Sequence, residues 1–492
     1  MSNITPPGEL ILAKLGIDPS AIKSIKPRWK RTHYRAVINW LTKYEPQPNT
    51  SNLEKVRGYL EAFHHLCEVE AWEEASNIIF AFLNVSNNLQ LHNQLRFWGY
   101  YQELADLCLI ILGKLAPNLN CVLLNNLGSS YAGMGDYGKA AKYYEQSLAI
   151  AREIKDRQLE SSNLNDLGLT YNALGDNDQA IDYCQQSLDI AQQISDRLGE
   201  TNALLGLGII YYSLGKYHQA INYYKQGLFI STEIQNKAGE EKALGNLGII
   251  CYSLGHYAQA ISYFEQTLMI VKETQDRQGK EATLTNLGLA YAELGEYDKA
   301  IEYHQQSLYI AGEIKNRRGE GRAFGNLGIT YHNQGNHAEA LKHYHQSLVI
   351  AQEVCDRQQE GNVLGNIRAT LIELQRYSGA LESLQKALEI FREIQEPLGE
   401  YKTLANLGDT YCAIGDYSKA IKCYEDSRII LHEMQAFKVE ESVISKLVSA
   451  YCVLGDYAKA IAYNHQHIAI VQATLHRLWL RKKEQIINQD YD

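Results

Sequence analysis

The chain has 492 residues, of which 45% are hydrophobic and 21% are charged, and this composition indicates a folded globular protein and argues against intrinsic disorder. Its 47 basic and 57 acidic residues give a formal net charge of −10, which disfavours bulk nucleic-acid binding because the surface would repel a phosphate backbone. No apolar stretch is long enough to span a bilayer, and the first twenty residues lack the pattern of a secretory signal. We therefore expect a cytoplasmic protein that contacts no membrane.

The first 44 residues predict a small basic helical element, with RTHYRAVINWLTKY as its clearest helix. No acidic residue occurs between Asp18 and Glu45, while six basic residues cluster here: Lys23, Lys26, Arg28, Lys30, Arg31 and Arg35. Such a run is typical of a solvated helix edge, and the alternative is a surface for a second, anionic partner. Residues 45–52, EPQPNTSN, predict a linker because they combine two prolines with a polar run.

Residues 53–120 predict two degenerate helical repeats, in YLEAFHHLCEVEAWEEASNIIFAF (59–82) and LRFWGYYQELADLCLIILGKL (95–115). Both stretches carry apolar residues at helical spacing on either side of a short polar break. They are weaker copies of a pattern that becomes regular further along the chain.

From residue 121 to residue 480 the same residues return every forty positions without an insertion, which makes nine units. Counted from 121, position 8 is glycine in seven units, position 15 is glycine in eight, and position 20 is alanine in all nine. A glycine in a helix costs about 1 kcal/mol relative to alanine, so its return at position 8, as in Gly248, implies a backbone contact that a Cβ would block.

Apolar residues in each unit fall at helical spacing on both sides of a Gly-x-Tyr turn, so each unit predicts a pair of helices. The second helix is expected to run to about position 35, and Asp-Arg pairs such as Asp156-Arg157 mark the turn to the next unit. One pair cannot bury its apolar face alone, so consecutive pairs must stack into an all-α solenoid. Residues 481–492 then form a polar capping tail.

Leucine at position 7, glycine at 8, tyrosine at 11, alanine at 20 and tyrosine or phenylalanine at 24 resemble the tetratricopeptide repeat (TPR) in a forty-residue form. This form is similar to the repeats of Pins-type adaptors, kinesin light chains and Rap-type bacterial regulators. The resemblance implies a right-handed superhelix whose first helices line a concave groove. Residues 53–120 also resemble the segment that precedes the repeats of bacterial STAND-type ATPases, although the chain has no ATPase domain.

No pattern for catalysis stands apart from the repeat, so we expect a protein that is not an enzyme and binds no cofactor or metal. The segment GMGDYGKA (133–140) satisfies G-x-x-x-x-G-K, but Ala140 stands where a P-loop needs a Ser or Thr hydroxyl. Four histidines between 332 and 345 spread over two helices and are interpreted as packing residues. Nine scattered cysteines without CxxC or Cys/His spacing indicate neither a disulfide framework nor a zinc module.

Position 6 carries asparagine in six of the nine units, although asparagine is a mediocre helix former: Asn126, Asn246, Asn286, Asn326, Asn366 and Asn406. A row of carboxamides, each able to donate and accept, suits the backbone of an extended peptide, and in related forty-residue arrays this asparagine does that. The alternative is an asparagine that bonds to the adjacent helix and fixes the stacking angle.

Two further positions are expected beside this row in the groove. Position 2 supplies Lys242, Arg322 and Lys402, which suit a ligand with acidic groups or a free carboxylate, and position 12 supplies Tyr212, Tyr252 and His332. The favoured function is a scaffold or adaptor that binds a protein or peptide segment in the groove. The alternatives are a Rap-like peptide-sensing regulator, whose N-terminal helices engage a signalling protein, and the sensor subunit of a STAND-type system.

Overall fold

The computed structural model describes residues 5–47, 50–83, 89–465, 468 and 472. The chain forms two compact units, Met1–Asp276 and Arg277–Asp492. The predicted capping tail, 481–492, lies outside the described residues, as does most of the ninth unit after residue 465.

The first unit begins with short helices that precede the regular repeats. They are α1 (Gly8–Lys14), a 3₁₀ turn (Ala21–Ser24), α2 (Arg28–Lys43), α3 (Asn52–Lys55), α4 (Arg57–Glu68), α5 (Trp72–Ile79), α6 (Leu91–Phe97) and α7 (Tyr101–Ile111). Leu12 of α1 and Val37 of α2 share one core with Phe63 of α4, because the apolar face of each helix points to the others. The N-terminal element is therefore packed onto the helices that follow it.

Regular helix pairs fill the rest of the first unit. They are α8 (Pro117–Gly133), α9 (Tyr137–Glu153), α10 (Arg157–Leu174), α11 (Asn177–Gln193), α12 (Arg197–Ser213), α13 (Tyr217–Glu233), α14 (Lys237–Ser253) and α15 (Tyr257–Glu273). Each helix packs against the next one along the chain.

The second unit continues the same pattern. Its described helices are α16 (Arg277–Glu293), α17 (Tyr297–Glu313), α18 (Arg317–Asn333), α19 (His337–Glu353), α20 (Arg357–Glu373), α21 (Tyr377–Glu393), α22 (Pro397–Ala413), α23 (Tyr417–Glu433) and α24 (Phe437–Val453). Apart from one isolated bridge between Phe82 and Gln90, regular structure in the described residues is helical. The prediction of an all-α array of consecutive helix pairs is confirmed.

The helix boundaries differ slightly from the prediction. The second helix ends at position 33 instead of about 35, because position 35 adopts a left-handed conformation, with φ of +58° at Lys155. The next residue caps the following helix: the Asp156 carboxylate accepts the N–H of Leu159 at 3.0 Å. The Asp-Arg pair therefore marks the start of the next first helix, four residues before position 1.

In six of the seven repeats with glycine at position 8, this residue faces an aromatic side chain of the second helix and not the backbone that the sequence implied; at Gly168 a Cβ would also lie 2.9 Å from the Ala180 backbone carbonyl oxygen. A Cβ built on Gly248 would lie 2.4 Å from the Phe264 ring, at position 24 of the same unit. In the seventh unit position 8 is Arg368, and position 24 is the smaller Leu384. The glycine at position 8 thus packs against the side chain at position 24, which is Cys184 opposite Gly168 and an aromatic ring in the other six repeats.

Candidate functional site

The six asparagines of position 6 lie on first helices, and five of them are half-buried with free side chains. Within the described residues, no hydrogen bond joins the carboxamides of Asn246, Asn286, Asn326, Asn366 and Asn406 to another protein group, and none of these carboxamide atoms is sealed from solvent. An asparagine that fixed the stacking of helices would be bonded to its neighbour. The amides of these five remain able to bond to another molecule.

Asn126 differs from the other five. It is only 3% exposed, and its Nδ2 is buried without an acceptor in the described part of the chain. An extended ligand therefore has no access to this amide in the conformation described. The predicted row does not extend to the first of the nine repeats.

Position 6 of the second and third repeats lacks a free carboxamide. In the second repeat Asp166 accepts a hydrogen bond from Asn125 Nδ2 at 2.8 Å. Burial raises the pKa of the Asp166 carboxyl, and the nearby charges of Arg96 and Lys242 act in the opposite direction. Gly206 has no side chain in the third repeat, and the Asn165 side chain fills the adjacent space.

The predicted cations at position 2 are exposed. Burial raises the pKa of Asp166, two repeats before Lys242, and the charge of Lys242 acts to lower it. Arg322 Nη2 lies 3.8 Å from Glu281 Oε2, and Lys402 makes no ion pair with any described residue. Burial raises the pKa of Glu281, while Arg322 acts to lower it.

The predicted aromatic residues at position 12 are half-buried and pack on the turn residue at position 17. Ring centroids are 5.7 Å apart for Tyr212, 5.5 Å for Tyr252 and 5.3 Å for His332. The Tyr212 hydroxyl lies 3.1 Å from Ser253 Oγ, and His332 Nδ1 lies 3.0 Å from Thr370 Oγ1. Tyr212 and His332 therefore link neighbouring first helices.

A pocket of about 430 Å³ lies at the N-terminal ends of α18 and α20. Arg322 and Asn362, both at position 2, line it together with Ile350 of α19 and with Val354, which directly follows that helix. Nearby, a Cβ added at Gly365 of position 5 would meet no atom within 4 Å. The surface beside Asn366 therefore has room for a bound chain.

The row ends at the ninth repeat in a charged network. Lys446 stands at position 6, and its Nζ lies 2.8 Å from Asp409 Oδ2 of the previous first helix. Arg368 of the seventh repeat donates to the Asn406 backbone carbonyl at 3.4 Å and is largely buried, which lowers the pKa of its guanidinium. Side chains of neighbouring first helices are thus bonded to one another at this end.

Two recurring contacts stabilise the packing of the helices within a repeat. The sequence analysis did not identify either of them. A serine at position 27 donates to the carbonyl of position 1, as Ser347 does to Gly321 at 2.7 Å. Tyrosines at positions 11 and 23 stack, with Tyr291 and Tyr303 5.4 Å apart and nearly parallel. Their return at forty-residue spacing was the signal that could have found them.

The segment 133–140 is the turn of the first regular repeat. Gly135 adopts φ of +83° between α8 and α9, and Lys139 Nζ lies 2.9 Å from Asp136 Oδ2. Among the described residues no group of three metal-ligating side chains occurs, and no described helix has the length and apolarity to cross a bilayer.

The family model of the tetratricopeptide repeat matches residues 119–193, 159–233, 239–313, 280–353, 319–393 and 359–430. The chain belongs to the tetratricopeptide repeat family. A TPR array of stacked helix pairs supports a role in protein interaction, because the fold exposes an extended surface. No protein of curated function matches the chain by sequence.

Several solved structures resemble this TPR chain at low identity. Aspartyl phosphate phosphatase F from Bacillus subtilis is 14% identical with a TM-score of 0.47, and the match covers 73% of this chain and 95% of that one. The quorum sensor NprR from B. thuringiensis is 15% identical with a TM-score of 0.47, over 72% and 97%. A STAND protein with a tetratricopeptide repeat sensor from Pyrococcus horikoshii is 17% identical with a TM-score of 0.47, over 86% and 56%.

Proposed function

We propose that the protein is a non-enzymatic scaffold that holds an extended polypeptide segment along the carboxamides of its second unit. The observation that carries this proposal is the run of four successive position-6 asparagines whose amides reach solvent and have no partner among the described residues: Asn286, Asn326, Asn366 and Asn406. A carboxamide donates and accepts at once, which matches the alternating N–H and C=O groups of an extended backbone.

The cost of these asparagines supports a binding role. Asparagine is less favourable than alanine in a helix by roughly 0.5 kcal/mol, and its amide competes for backbone hydrogen bonds. The four side chains make no hydrogen bond with another described residue that would offset this cost. A contact with another molecule accounts for their presence at the same place in four consecutive repeats.

The surroundings of the row favour a ligand with acidic groups or a free carboxylate. Arg322 and Lys402 are exposed at position 2, one helical turn before Asn326 and Asn406. A guanidinium can bond a carboxylate through two N–H groups, while an ammonium adds a point charge. Neither residue is held in a short ion pair with a described residue, so both remain available to a ligand.

The test is the binding of peptides from a random library to the immobilised full chain, followed by affinity measurements on the peptides retained. The variant Asn286→Ala/Asn326→Ala/Asn366→Ala should weaken binding about a hundredfold, because each lost hydrogen bond contributes about 1 kcal/mol. Helix content and melting temperature should not fall, and the melting temperature should rise slightly because alanine is the better helix former.

The matched control is Gln266→Ala/Gln306→Ala/Gln346→Ala, which removes three exposed carboxamides from second helices. It should bind as the native chain does. A triple asparagine variant that melts early, but whose folded fraction binds with native affinity, would show that the row is structural. Equal affinity of all three proteins would also rule out the proposed role.

A further inference from the structure

Charge is distributed very unevenly along the chain. Residues 19–44 hold seven of the 47 basic residues and none of the 57 acidic ones, leaving 40 basic against 57 acidic elsewhere, a formal charge of −17. The basic residues follow one another through the 3₁₀ turn and α2: Lys23, Lys26, Arg28, Lys30, Arg31, Arg35 and Lys43. We name the exposed part of this segment, residues 23–35, the basic face.

The fold of the described residues does not neutralise the basic face. None of its cations makes an ion pair with a described residue, and Lys23, Lys26, Arg28 and Arg35 are exposed. By contrast, Arg357 in the repeats bonds both Glu360 and Glu393. Like charges held together on a helix repel one another, so the segment gains nothing in stability from this arrangement.

An exposed tryptophan lies within the basic face. Trp29 is 54% exposed in the first turn of α2, between Arg28 and Lys30, and its ring makes an edge contact with His33 at 6.1 Å between centroids. The core side of the same helix is formed by Val37 and Leu41. Tryptophan and arginine are the residues that most often dominate the energy of protein interfaces.

We propose that the basic face is a second docking surface, which binds an acidic polypeptide segment that carries an apolar side chain. Trp29 supplies the apolar contact, and the surrounding cations supply charge complementarity and speed the encounter. This surface is separate from the carboxamide row, so neither proposal depends on the other.

The size and composition of the basic face favour a polypeptide over the other polyanions. A long nucleic acid would extend beyond a face of about a dozen residues and meet a chain whose remainder carries −17. A membrane-binding helix needs a continuous apolar stripe, whereas the only large apolar residues exposed in the described part of 5–47 are Leu10 and Trp29. A short acidic segment matches the size of the basic face, and its charges and apolar side chain match the cations and Trp29.

The test measures binding of the full chain to a short fluorescein-labelled peptide of glutamates interspersed with leucine, by fluorescence anisotropy. A peptide with glutamine in place of glutamate, a single-stranded DNA and phosphatidylserine-containing vesicles are the comparison probes. We expect the acidic peptide to bind best, with affinity that falls as salt rises.

Two variants separate the contribution of the cations from that of Trp29. Lys26→Gln/Arg28→Gln/Arg35→Gln should weaken binding about tenfold or more and flatten its salt dependence, while Trp29→Ala should weaken it about tenfold and leave the salt dependence unchanged. The control Lys139→Gln/Lys342→Gln/Lys386→Gln removes the same charge from exposed sites in the repeats and should bind normally. The triple asparagine variant of the groove should also bind normally.

Tighter binding of DNA or vesicles than of the acidic peptide would overturn the proposal. The same conclusion would follow if the basic-face variants bound the peptide as the native chain does. Sedimentation that showed self-association dependent on Trp29 would replace the proposed partner with a second copy of this chain.

Discussion

The two compact units keep different parts of the same forty-residue pattern. In the first unit position 8 is glycine in all four regular repeats, whereas position 6 is the buried Asn126, then Asp166, Gly206 and Asn246. In the described part of the second unit position 6 is a free asparagine in four repeats, whereas the glycine series is broken at Arg368 and at Val448.

This difference distinguishes the packing positions of the repeat from position 6. Position 8 changes together with position 24: Arg368 accompanies Leu384 and Val448 accompanies Asn464, whereas the other seven repeats pair glycine with a ring or a cysteine. The seventh repeat also has Leu371 in place of the usual tyrosine at position 11 and Gln375 in place of glycine at position 15. It still keeps Asn366. An asparagine that persists where the packing residues change is not explained by packing.

The largest expected effect comes from enlarging the side chain at position 8 in the first unit, as the seventh repeat does. Gly248→Leu should destabilise α14 and α15 by about 3 kcal/mol, because its side chain would overlap the Phe264 ring. Adding Phe264→Leu should recover much of this loss, since a smaller side chain at position 24 then faces a larger one at position 8, as Leu384 accompanies Arg368. Hydrogen exchange in α14, with thermal melting, measures both.

The reverse change is the control for this swap. Arg368→Gly should cost only about 1 kcal/mol, from helix propensity and two long hydrogen bonds of 3.4 Å. A double variant as unstable as Gly248→Leu alone would show that position 8 does not depend on position 24.

A second prediction concerns His304, which holds position 24 in the second unit. Its ring is buried against Gly288, both of its nitrogens lack a partner among the described residues, and burial lowers its pKa to about 4. Between the unfolded pKa of about 6.5 and pH 4 the unfolded chain binds a proton that the folded chain does not, so stability falls as pH falls.

Protonation of His304 in the unfolded chain should lower the free energy of unfolding by about 3 kcal/mol between pH 7 and pH 4. His304→Phe, which copies Phe264 of the first unit, should be more stable at every pH and should remove this part of the pH dependence. Urea unfolding of both proteins from pH 7 to pH 4 measures the difference. Parallel curves for the two proteins would contradict the assignment.

The helix pairs could be predicted from the sequence because a residue that packs inside one repeat is repeated in the next. Gly248 and the turn at Gly255 were recognised in this way. The partner of Gly248 was not, since spacing alone does not tell whether a missing Cβ faces a backbone or a ring. Helix ends were displaced for a similar reason, because the left-handed residue at position 35 varies in type, as Lys155, Ser195 and Cys355 do.

The candidate groove was less predictable, because the environment of a side chain depends on its neighbours. Asn126 and Asn326 occupy the same position in the pattern, yet the first is buried and the second reaches solvent. The contacts of Tyr212 with Ser253 and of His332 with Thr370 join residues of different repeats. A pattern read within one repeat does not contain such pairs.

The contrast between these asparagines gives a third prediction, of moderate size. Asn366→Ala should weaken peptide binding about fivefold, because one hydrogen bond contributes about 1 kcal/mol, and Asn126→Ala should leave it unchanged. Affinities of library-selected peptides, measured for both variants, test this. Equal losses at the two positions would mean that burial of Asn126 does not exclude it from the row.

The smallest expected effect is that of Asp166→Asn, which restores a carboxamide to the row of the first unit. The new side chain can still accept from Asn125 Nδ2, while it no longer carries the charge that faces Arg96 and Lys242. Peptide affinity should change by less than about twofold, because the proposed ligand lies along the carboxamides of the second unit.

The free energy of unfolding gives an independent test of the Asp166→Asn variant. Because burial raises the pKa of Asp166, the ionised carboxyl opposes folding at neutral pH, and this penalty is relieved as pH falls through its folded pKa. The variant should therefore exceed the native protein in stability at pH 7, and the difference should shrink toward acid pH. A difference that grew toward acid pH would mean that the charges of Arg96 and Lys242 outweigh burial, and that the first unit uses position 6 for an ion cluster and not for a ligand.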